Sequence, residues 1–430
     1  MDSGDDLSKT SPDGSRPGSG LVICKVWDAD YPWDIRVEKV STALVDAGHT
    51  VHLVCRNAAR QPCYEAHGRF MIHRLPVTPR ALGRAHGVWN FPQPANPVWI
   101  HTIWRVARET RADVILVRDL PLALPAALIG RRLSIPVVLD MAEHYAGMLE
   151  DLLRYTPISA FGRLARRPGL ARLVERVALR LVDRVIVVVE ESRDRLLRAG
   201  MTPDRLTIVS NTPKLDQWDA APALNERPRR SESDGLSLVY LGRLDGSRGI
   251  DVVIRAIQVV GARGLRVAFK VIGDGPSLEP LRKLTRDLGV ADRVHIEGRL
   301  PYPRVRTLMA EADVGVIPHY ATEAWNSTIP NKLFDYMLSG LPLLVSDVRP
   351  TARIVRAEAC GVVFRDRDVE DLAQALLVLR DRTMLSEMGS RGRRAVQQRL
   401  NWTADGQRFV RAVEGAAQRE VPALTLPGPC

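Results

Sequence analysis

The sequence predicts an α/β protein made of two doubly wound domains, and three observations lead to that prediction. Short runs rich in Val, Ile and Leu recur along the chain, helix-like stretches separate them, and one polar, proline-containing segment interrupts the alternation. Continuous apolar runs of this kind are typical of strands that are buried on both faces of a parallel sheet. A chain of 430 residues also exceeds what one hydrophobic core usually supports.

The apolar runs are the predicted strands. In the first half they are 21–26, 51–54, 114–117, 137–139, 185–189 and 206–209. In the second half they are 236–241, 267–272, 294–296, 314–317 and 341–345. Helical patterns separate them, for example at 37–47, where Gly48 follows as a stop, and at 252–260 and 278–288. Strands that alternate with helices predict parallel sheets flanked by helices.

The polar segment that starts at Pro222 carries two prolines and is the predicted linker between the domains. The N-terminal tail is polar, rich in Ser, Gly and Asp, and lacks the apolar core of a signal peptide. The predicted organisation is a disordered tail at 1–19, an N-terminal domain at 20–221, a linker at 222–235, a C-terminal domain at 236–400, a last helix at 401–418 and a tail at 419–430.

The chain carries a formal net charge of +11, and most of the excess is arginine. This charge predicts an acidic partner, and nucleic acid, anionic lipid and phosphorylated substrates all fit it. Arginine suits planar, bidentate contacts to phosphate. Nucleic acid is not the expected partner, because the basic residues are dispersed and aromatic residues make up only 5% of the chain.

The five cysteines are scattered, and no two of them form a CxxC pair. The sequence therefore predicts neither a zinc site nor a disulfide framework, and we expect no metal and a reducing, cytoplasmic setting. No uninterrupted apolar run approaches the roughly 20 residues that are needed to span a bilayer.

A glycine-rich loop, GRLDGSRG at 242–249, directly follows the predicted strand at 236–241. Such a loop at a helix N-terminus presents backbone N–H groups and the positive end of the helix dipole to an anion. Arg243 and Arg248 fit a diphosphate as a fork. A solvated turn with surface arginines is the alternative interpretation. The turn GDGP at 273–276 supports the phosphate site by its position beside this loop.

The segment 314–346 predicts a strand, a long loop, a helix, a glycine stop and a strand. Ser327 and Thr328 are expected to cap the helix that begins near Pro330. Lys332 lies in the first turn, against the dipole preference, which favours an anion at this point over a solvated side chain. Asp335, one turn later, is expected either to accept hydrogen bonds from ribose hydroxyls or to be an exposed carboxylate.

Three residues after the first predicted strand are expected beside the cleft. Asp34 fits a helix cap and Arg36 is expected to reach a phosphate. Trp33 either stacks on a sugar or packs against the helix.

Charged residues also follow the strands at 114–117 and 137–139. Asp119 and Glu143 are expected to bind hydroxyls, because charged groups at strand ends that face a cleft are costly without a role. His144 is isolated, and a structural histidine is the alternative to a functional one.

A basic stretch holds six arginines among Leu, Val and Ala: Arg163, Arg166, Arg167, Arg172, Arg176 and Arg180. We favour one solvated face of an ordinary helix, and a basic amphipathic helix on an anionic membrane is the open alternative. The aromatic-containing segment 86–92 is expected to form an acceptor-side loop.

The loop at 242–249, the turn at 273–276 and the segment 314–346 together resemble the C-terminal half of the GT-B glycosyltransferases, particularly the retaining family 4. That family carries a G-R-x4-K-G loop, a GDGP turn and an E-x7-E helix that is followed by G-L-P. Here Arg248 stands in the lysine position, and Asp335 takes the place of the second glutamate. The resemblance covers roughly residues 20–415.

The resemblance implies two Rossmann-like domains that face a cleft, an acceptor-binding domain at 20–221 and a nucleotide-sugar-binding domain at 236–400. It also implies that the helix at 401–418 crosses back to the first domain. It implies a nucleotide-diphosphate-sugar donor, with UDP favoured, a hydroxyl acceptor, and neither metal nor other cofactor. The implied catalytic residues are Arg243, Arg248, Glu143 and His144. The implied donor-binding residues are Gly242, Gly273, Asp274, Gly275, Arg299, His319, Glu323, Ser327, Thr328, Asn331, Lys332 and Asp335. The implied acceptor-binding residues are Trp33, Asp34, Arg36 and Asp119.

The chain departs from the family pattern at the sugar-facing end. Ser327 stands where the family has the first glutamate of E-x7-E, although a branch that carries P-N-K-L-F-[ED]-Y-M also lacks it, and this chain is similar to that branch. Glu323 and His319 are expected to contact the sugar instead. Ala142 stands where many relatives have the histidine of D-x-H-E, and His144 is the candidate substitute.

The sequence therefore predicts sugar transfer from the donor to an acceptor hydroxyl, with retention and without a covalent enzyme intermediate. A nucleotide-sugar epimerase shares the two-sheet architecture, but it needs acid/base groups around the sugar. A non-catalytic subunit that binds a nucleotide sugar is the other alternative. We expect a cytoplasmic protein, with peripheral contact to the inner face of the membrane left open.

Overall fold

The computed structural model describes residues 20–32, 34–68, 70–77, 90–156, 162–163, 166–215 and 235–418. The predicted tails at 1–19 and 419–430, Trp33, residues 86–89 and all of the predicted linker except Gly235 lie outside the described residues.

The first sheet has eight strands in the order β3-β4-β2-β1-β5-β6-β7-β8. They are β1 (Val22–Asp30), β2 (Thr50–Arg56), β3 (Tyr64–His67), β4 (Phe70–Arg74), β5 (Val114–Arg118), β6 (Val137–Met141), β7 (Arg184–Val187) and β8 (Leu206–Ile208). Neighbouring strands are parallel except for β3, which pairs antiparallel with β4. The carboxyl ends of the parallel strands therefore share one edge of the sheet.

The described part of this half contains six α-helices: α1 (Ile35–Asp46), α2 (Pro97–Glu109), α3 (Ala123–Leu133), α4 (Tyr145–Tyr155), α5 (Pro168–Leu181) and α6 (Glu190–Arg198). Side chains of α2, α3, α4 and α5 share one buried cluster with the sheet. Helix α1 packs on the opposite face in a separate cluster. The sheet is thus covered on both faces, as its continuous apolar strands require.

The second sheet has six strands in the order β11-β10-β9-β12-β13-β14, and all neighbours are parallel. They are β9 (Leu236–Leu241), β10 (Val267–Ile272), β11 (Val294–Gly298), β12 (Val314–Ile317), β13 (Leu343–Ser346) and β14 (Gly361–Phe364). The helices are α7 (Ile250–Ala262), α8 (Leu278–Asp287), α9 (Tyr302–Glu311), α10 (Asn331–Leu338), α11 (Arg349–Ala357), α12 (Val369–Val378), α13 (Arg382–Gln398) and α14 (Trp402–Ala417).

Helix α14 crosses back to the first domain, as predicted. Its Trp402, Phe409 and Val413 are buried in the same cluster as Val37 and Val40 of α1. Thr212, just after the first sheet, donates to Asp405 of α14 at 2.6 Å. The end of the chain therefore completes the core of the N-terminal sheet.

The predicted strands are all present within a few residues, and two doubly wound sheets are confirmed. Strands β3, β4 and β14 were not predicted. Strand β3 reads Tyr-Glu-Ala-His and lies at the edge of its sheet, where neither apolar runs nor strict alternation is required. None of the described helices is long and apolar enough to span a membrane.

Candidate active site

A cavity of about 290 Å³ lies between the two sheets, at the carboxyl ends of their strands. The first domain lines it with Glu143, His144 and residues of α4, and the second with the loops after β9 and β12. Ligands bind at this edge in open α/β sheets. Larger crevices of about 730 and 480 Å³ lie at the amino ends of the first sheet and between α1 and α14, and they contain none of the predicted site residues.

The glycine-rich loop after β9 lies backbone to backbone against the GDGP turn. Leu244 N donates to the carbonyl of Asp274 at 2.9 Å, and Asp274 caps the turn by accepting from Gly275 N at 2.7 Å. A Cβ on Gly273 would stand only 1.8 Å from the carbonyl oxygen of Gly242, so no larger residue fits there without moving the backbone. The predicted proximity of the two loops is confirmed, and the turn acts as a scaffold for the loop.

Arg248 is fixed by a closed ring of contacts at the start of α7. Its Nε lies 3.0 Å from Asp245 Oδ2, and its guanidinium lies 4.4 Å from the centre of the Trp325 ring. Trp325 Nε1 donates to Ser247 Oγ at 3.2 Å, and Ser247 Oγ donates to Asp245 Oδ1 at 2.7 Å. Arg243 lines the same cavity, but its side chain is 63% exposed and reaches Asp245 only at 3.8 Å.

Lys332, in the first turn of α10, is not a solvated side chain. Its Nζ lies 4.1 Å from the centre of the Tyr240 ring and 3.4 Å from His319 Nε2. A Cβ on Gly242 would stand 2.9 Å from the same Nζ, so the ammonium group lies directly against the glycine-rich loop. Burial and the nearby Arg248 hold the pKa of Lys332 well below its usual range.

His319 is fully buried and stacks on Trp325 with ring centres 4.0 Å apart. Burial, with Lys332 and Arg248 nearby, holds the pKa of His319 well below its usual range, so the ring is neutral. Arg248, the Lys332 amine and a neutral histidine thus meet at the loop after β9, where Asp245 pairs with Arg248 and the charges of Asp245 and Asp335 both act on Lys332. A bound anion would raise the pKa of Lys332 by supplying the missing negative charge.

Ser327 and Thr328 do not cap α10, and this expectation was wrong. The helix has Pro330 at its N-cap position and no side-chain cap. The carbonyl of Ser327 instead accepts from Ser192 Oγ, and Thr328 Oγ1 donates to the carbonyl of Ala142 at 2.9 Å. These contacts join the loop after β12 to the first domain, which draws both residues away from the helix end. Asn331 is the exposed first residue of α10.

Asp335 is partly buried one turn beyond Lys332. Burial raises its pKa to about 7, while Lys39 of the first domain and Lys332 oppose the shift. Its role at the ribose remains a prediction. Arg299 is exposed directly after β11, the edge strand, and does not line the cavity, so its proposed nucleobase contact is likewise a prediction.

His144 stands at the N-cap of α4 and is only 4% exposed. Its Nδ1 has no hydrogen-bond partner, and it lies 3.6 Å from Glu323 Oε1 of the second domain. Burial, with Arg195 and Arg172 nearby, lowers its pKa to about 4, so the ring is neutral at physiological pH. Glu323 also lies 3.8 Å from Arg172 of α5. Glu323, which was expected near the sugar, and His144, the candidate substitute for the acceptor-side histidine, therefore meet at the domain interface.

Glu143 and Asp119 lie at the ends of β6 and β5 beside Arg118. Desolvation raises the pKa of Glu143, although its side chain faces the cavity. The positive charges of Arg118 and Arg248 oppose this shift. Burial raises the pKa of Asp119 to about 8 against the effect of Arg118. Asp119 Oδ1 also accepts from Ala142 N at 3.0 Å. Glu143 thus lines the cavity, whereas Asp119 is not among the lining residues and lies 3.4 Å from Arg118.

Arg36 does not reach into the cleft, which corrects the expected phosphate contact. It is 4% exposed, its NH2 lies 2.7 Å from Asp140 Oδ1, and its NH1 donates to the carbonyls of Val209 and Ser210. This side chain braces the ends of β6 and β8. Asp34 caps α1 as predicted, by accepting from Arg36 N at 2.7 Å.

Several residues of the cavity were not identified from the sequence. Trp325 and Asp245 fix Arg248, and Asp151 of α4 accepts from Thr322 Oγ1 at 2.7 Å across the domains. Gly147 allows α4 to approach the loop after β12, because a Cβ there would stand 2.9 Å from Ala324 N. Only Asp245 gave a signal, its position three residues before Arg248 within the loop.

Family models match both halves of the chain. Residues 34–212 match the Glycosyl transferase 4-like domain, and residues 235–382 match Glycosyl transferases group 1. These two ranges contain almost all of both sheets and every described residue that lines the cavity. The chain belongs to the GT-B glycosyltransferases of the family 4 type.

Solved structures share the whole architecture of this glycosyltransferase. Sucrose-phosphate synthase from Thermosynechococcus elongatus is 18% identical with a TM-score of 0.72, over 92% of this chain and 98% of that chain. Anabaena HepE, solved in complex with UDP-glucose, is 14% identical with a TM-score of 0.65, over 92% of this chain and 100% of that chain. At these identities the likeness establishes the fold.

Curated relatives are similar over part of their length. The alpha-D-kanosaminyltransferase of Streptomyces kanamyceticus is 25% identical over 58% of this chain and 63% of its own length. The GDP-mannose-dependent alpha-(1-6)-phosphatidylinositol monomannoside mannosyltransferase of Mycolicibacterium smegmatis is 27% identical over 60% of this chain and 74% of its own length. The chain thus spans less than two thirds of the first of these relatives.

Proposed function

We propose that this glycosyltransferase moves a sugar from a nucleotide-diphosphate-sugar donor to an acceptor hydroxyl, with retention of the anomeric configuration. The observation that carries the proposal is the pair of Arg248 and Lys332, held together at the glycine-rich loop with Asp245 as their shared counter-charge. A diphosphate is the ligand whose charge and size fit two fixed cations beside backbone N–H groups.

In this proposal the chemistry rests on stabilising the departing diphosphate. Arg248 and Lys332 are positioned before the reaction, so they stabilise the charge that develops on the leaving oxygen without reorganising. The leaving phosphate itself accepts the proton of the acceptor hydroxyl. His144 and His319 are neutral and buried, and their ring nitrogens form hydrogen bonds with the sugar in this proposal.

The acceptor would lie against the first domain. Glu143 lines the cavity there, Asp119 lies nearby at the end of β5, and their carboxyl groups suit hydrogen bonds with hydroxyl groups. The nucleotide would lie along the second domain, with Asp335 on the ribose and Arg299 near the base. We propose UDP as the nucleotide, in line with HepE, which was solved with UDP-glucose. The proposed reaction needs no metal.

The test is a panel of UDP-, GDP- and dTDP-sugars mixed with the purified chain and candidate acceptors, with release of the nucleoside diphosphate as the readout. We expect release that depends on the acceptor and falls at least about a hundredfold in Arg248→Ala, the scale on which single charge-stabilising groups act. Arg255→Ala is the matched control, because Arg255 is exposed on α7 away from the cavity.

The two alternatives give different results in the same assay. A nucleotide-sugar epimerase would interconvert sugars without an acceptor. A binding subunit would bind donor without turnover across the whole panel, as measured by calorimetry. Either result would refute the proposed transfer.

A further inference from the structure

Helices α2, α3 and α5 lie side by side on one face of the first sheet, and their outer surface has an unusual composition. Among the described residues, nine large apolar side chains are exposed, and four of them lie here: Ile100, Leu128, Leu170 and Leu173. A fifth, Phe91, lies six residues before the start of α2. We call the surface formed by the outward residues of these three helices the outer helical face.

The outer helical face is also strongly basic. The three helices contain seven arginines, Arg105, Arg108, Arg131, Arg132, Arg172, Arg176 and Arg180, and two glutamates, Glu109 and Glu175. Glu175 is buried and pairs with Arg195, so it does not offset the surface charge. Exposed Arg163 and Arg167 precede α5 and add to the excess.

Helix α5 shows the pattern most clearly. Leu170, Leu173, Arg176 and Arg180 follow one another at spacings of three, three and four residues, and all four are exposed. Residues at these spacings share one face of a helix. Ala171, Ala178 and Leu179 of the same helix are buried in the core. Leu170 and Leu173 are 57% and 51% exposed and do not belong to that core cluster.

The apolar residues concentrate near the cleft. Because the strands of a parallel sheet point the same way, the helices that follow them begin at the carboxyl edge, where the cavity lies. Ile100 belongs to the first turns of α2, and Leu170 and Leu173 belong to the first turns of α5. Arg172 lies between the outer helical face and the cleft, since it pairs with Glu150 of α4 and approaches Glu323 at 3.8 Å.

We propose that the outer helical face docks on an anionic lipid bilayer, with leucines inserted among the headgroups and arginines on the lipid phosphates. Exposed leucines beside arginines are the composition of a helix that lies in a membrane interface. Charge complementarity selects anionic over neutral lipid. If the proposed transfer is correct, the docked chain holds the acceptor side of its cleft at the membrane, which suits an acceptor carried on a lipid.

The experiment is co-sedimentation of the full chain with vesicles of phosphatidylcholine, with and without phosphatidylglycerol, in the absence of donor and acceptor. We expect binding only to the anionic vesicles and weakening at high salt, because salt screens the charges. Arg167→Gln, Arg176→Gln and Arg180→Gln combined should weaken binding about a hundredfold, since each arginine at such a surface contributes about fivefold. Leu170→Ser with Leu173→Ser should weaken it about tenfold or more.

Matched controls lie elsewhere on the molecule. Arg255→Gln, Arg286→Gln and Arg394→Gln combined remove the same charge from exposed positions of the second domain, and Ile35→Ser with Val378→Ser removes two equally exposed apolar side chains. Both controls should bind vesicles as the unaltered chain does. All of these positions are exposed, and circular dichroism checks that each variant is folded.

Three results would overturn the proposal. Equal losses in the two arginine triples would mean that binding follows net charge alone. Unchanged binding in the leucine pair, together with tight binding of double-stranded DNA, would identify a polyanion surface. A dimer in solution that the leucine pair dissociates would identify a second copy of the chain as the occupant. Because donor and acceptor are absent, each result leaves the proposed transfer untouched.

Discussion

Trp325 positions Arg248 through the face of its ring and through Ser247. The guanidinium lies 4.4 Å from the ring centre, and Trp325 Nε1 donates to Ser247 Oγ, which itself donates to Asp245. An arginine fixed in this way needs no reordering when a diphosphate arrives. Arg243, whose side chain is largely exposed on the same loop, has no such support.

We expect Trp325→Ala to lower kcat/KM for the donor about tenfold, because loss of the cation–π contact and of the ordering of Arg248 is worth about 1–2 kcal/mol. In a double-mutant cycle, Arg248→Ala should leave little further loss for Trp325→Ala, because the tryptophan acts through the arginine. Trp104→Ala is the control, since Arg108 lies 5.0 Å from that ring on α2, away from the cavity. Additive losses in steady-state kinetics would contradict the coupling.

Asp335 predicts a pH dependence of stability. Its pKa is raised to about 7 in the folded chain and is about 3.9 in an unfolded one, so the folded state retains a proton that the unfolded state releases between these values. Its contribution to stability is therefore present at low pH and is lost as the pH rises toward 7, with a slope of at most about 1.4 kcal/mol per pH unit.

Asp335→Asn removes this contribution. Differential scanning fluorimetry from pH 5 to pH 8 should show the melting temperature of the unaltered chain falling relative to that of the variant as the pH rises. Asp274→Asn, at an exposed carboxylate of the GDGP turn, should follow the unaltered chain. Parallel curves for the unaltered chain and Asp335→Asn would show that Asp335 does not hold its proton near neutral pH.

At the scale of elements, helix α4 and the loop after β12 pack closely because Gly147 has no side chain. A Cβ there would stand 2.9 Å from Ala324 N and from His144 Nδ1. Gly147→Ala should push the loop away from α4, at a cost of about 1–3 kcal/mol in packing, and should lower kcat/KM because His144 and Trp325 both line the cavity.

Gly169→Ala on α5 is the matched control, because a Cβ there meets nothing within 4 Å. It should leave activity unchanged and raise the melting temperature slightly, as an alanine in a helix does. Melting curves and donor turnover, measured on both variants, separate the two effects. Equal activity in Gly147→Ala and the unaltered chain would mean that the contact between α4 and the loop does not shape the cavity.

The sequence predicted the elements better than the contacts between them. Buried parallel strands can be recognised from the sequence because both of their faces are apolar. The edge strand β3 carries Glu65 and His67 and shows no such pattern. The capping of α10 by Ser327 and Thr328 was a sound local inference, but those residues contact Ser192 and Ala142 of the other domain instead. Local patterns do not contain such long-range partners.

The same reason explains the mixed outcome at the site. The structure brings Arg248 and Lys332 together at the loop after β9, as the local loop and helix signals indicated, and their binding of an anion stays a prediction. Arg36 was expected at a phosphate, yet Asp140, more than a hundred residues away in the sequence, holds its guanidinium in the core. A buried ion pair of this kind depends on which strands are neighbours, which the sequence order does not reveal.

At the scale of the whole molecule, the two domains are joined on both sides of the cavity. Thr322 donates to Asp151, and Thr328 donates to the carbonyl of Ala142, on the inner side. Arg353 of α11 lies 2.8 Å from Glu191 of α6, farther from the lining. Helix α14 adds a covalent link, since it leaves the second domain and packs in the core of the first. The cavity therefore lies between two domains that are held together by side-chain contacts and by the packing of α14.

The placement of α14 predicts which domain its loss would destabilise. Phe409 is fully buried in the core of the first domain, and Phe409→Ala should cost about 3–5 kcal/mol there. Leu376 of α12 is fully buried in the core of the second domain, so Leu376→Ala should cost about 2–5 kcal/mol in that domain. Hydrogen exchange read by mass spectrometry should show faster exchange in β5–β8 for the first variant and in β9, β10 and β12 for the second. Faster exchange of the second sheet in Phe409→Ala would contradict this assignment, because it would place the stability of α14 with the domain it leaves rather than the one it completes.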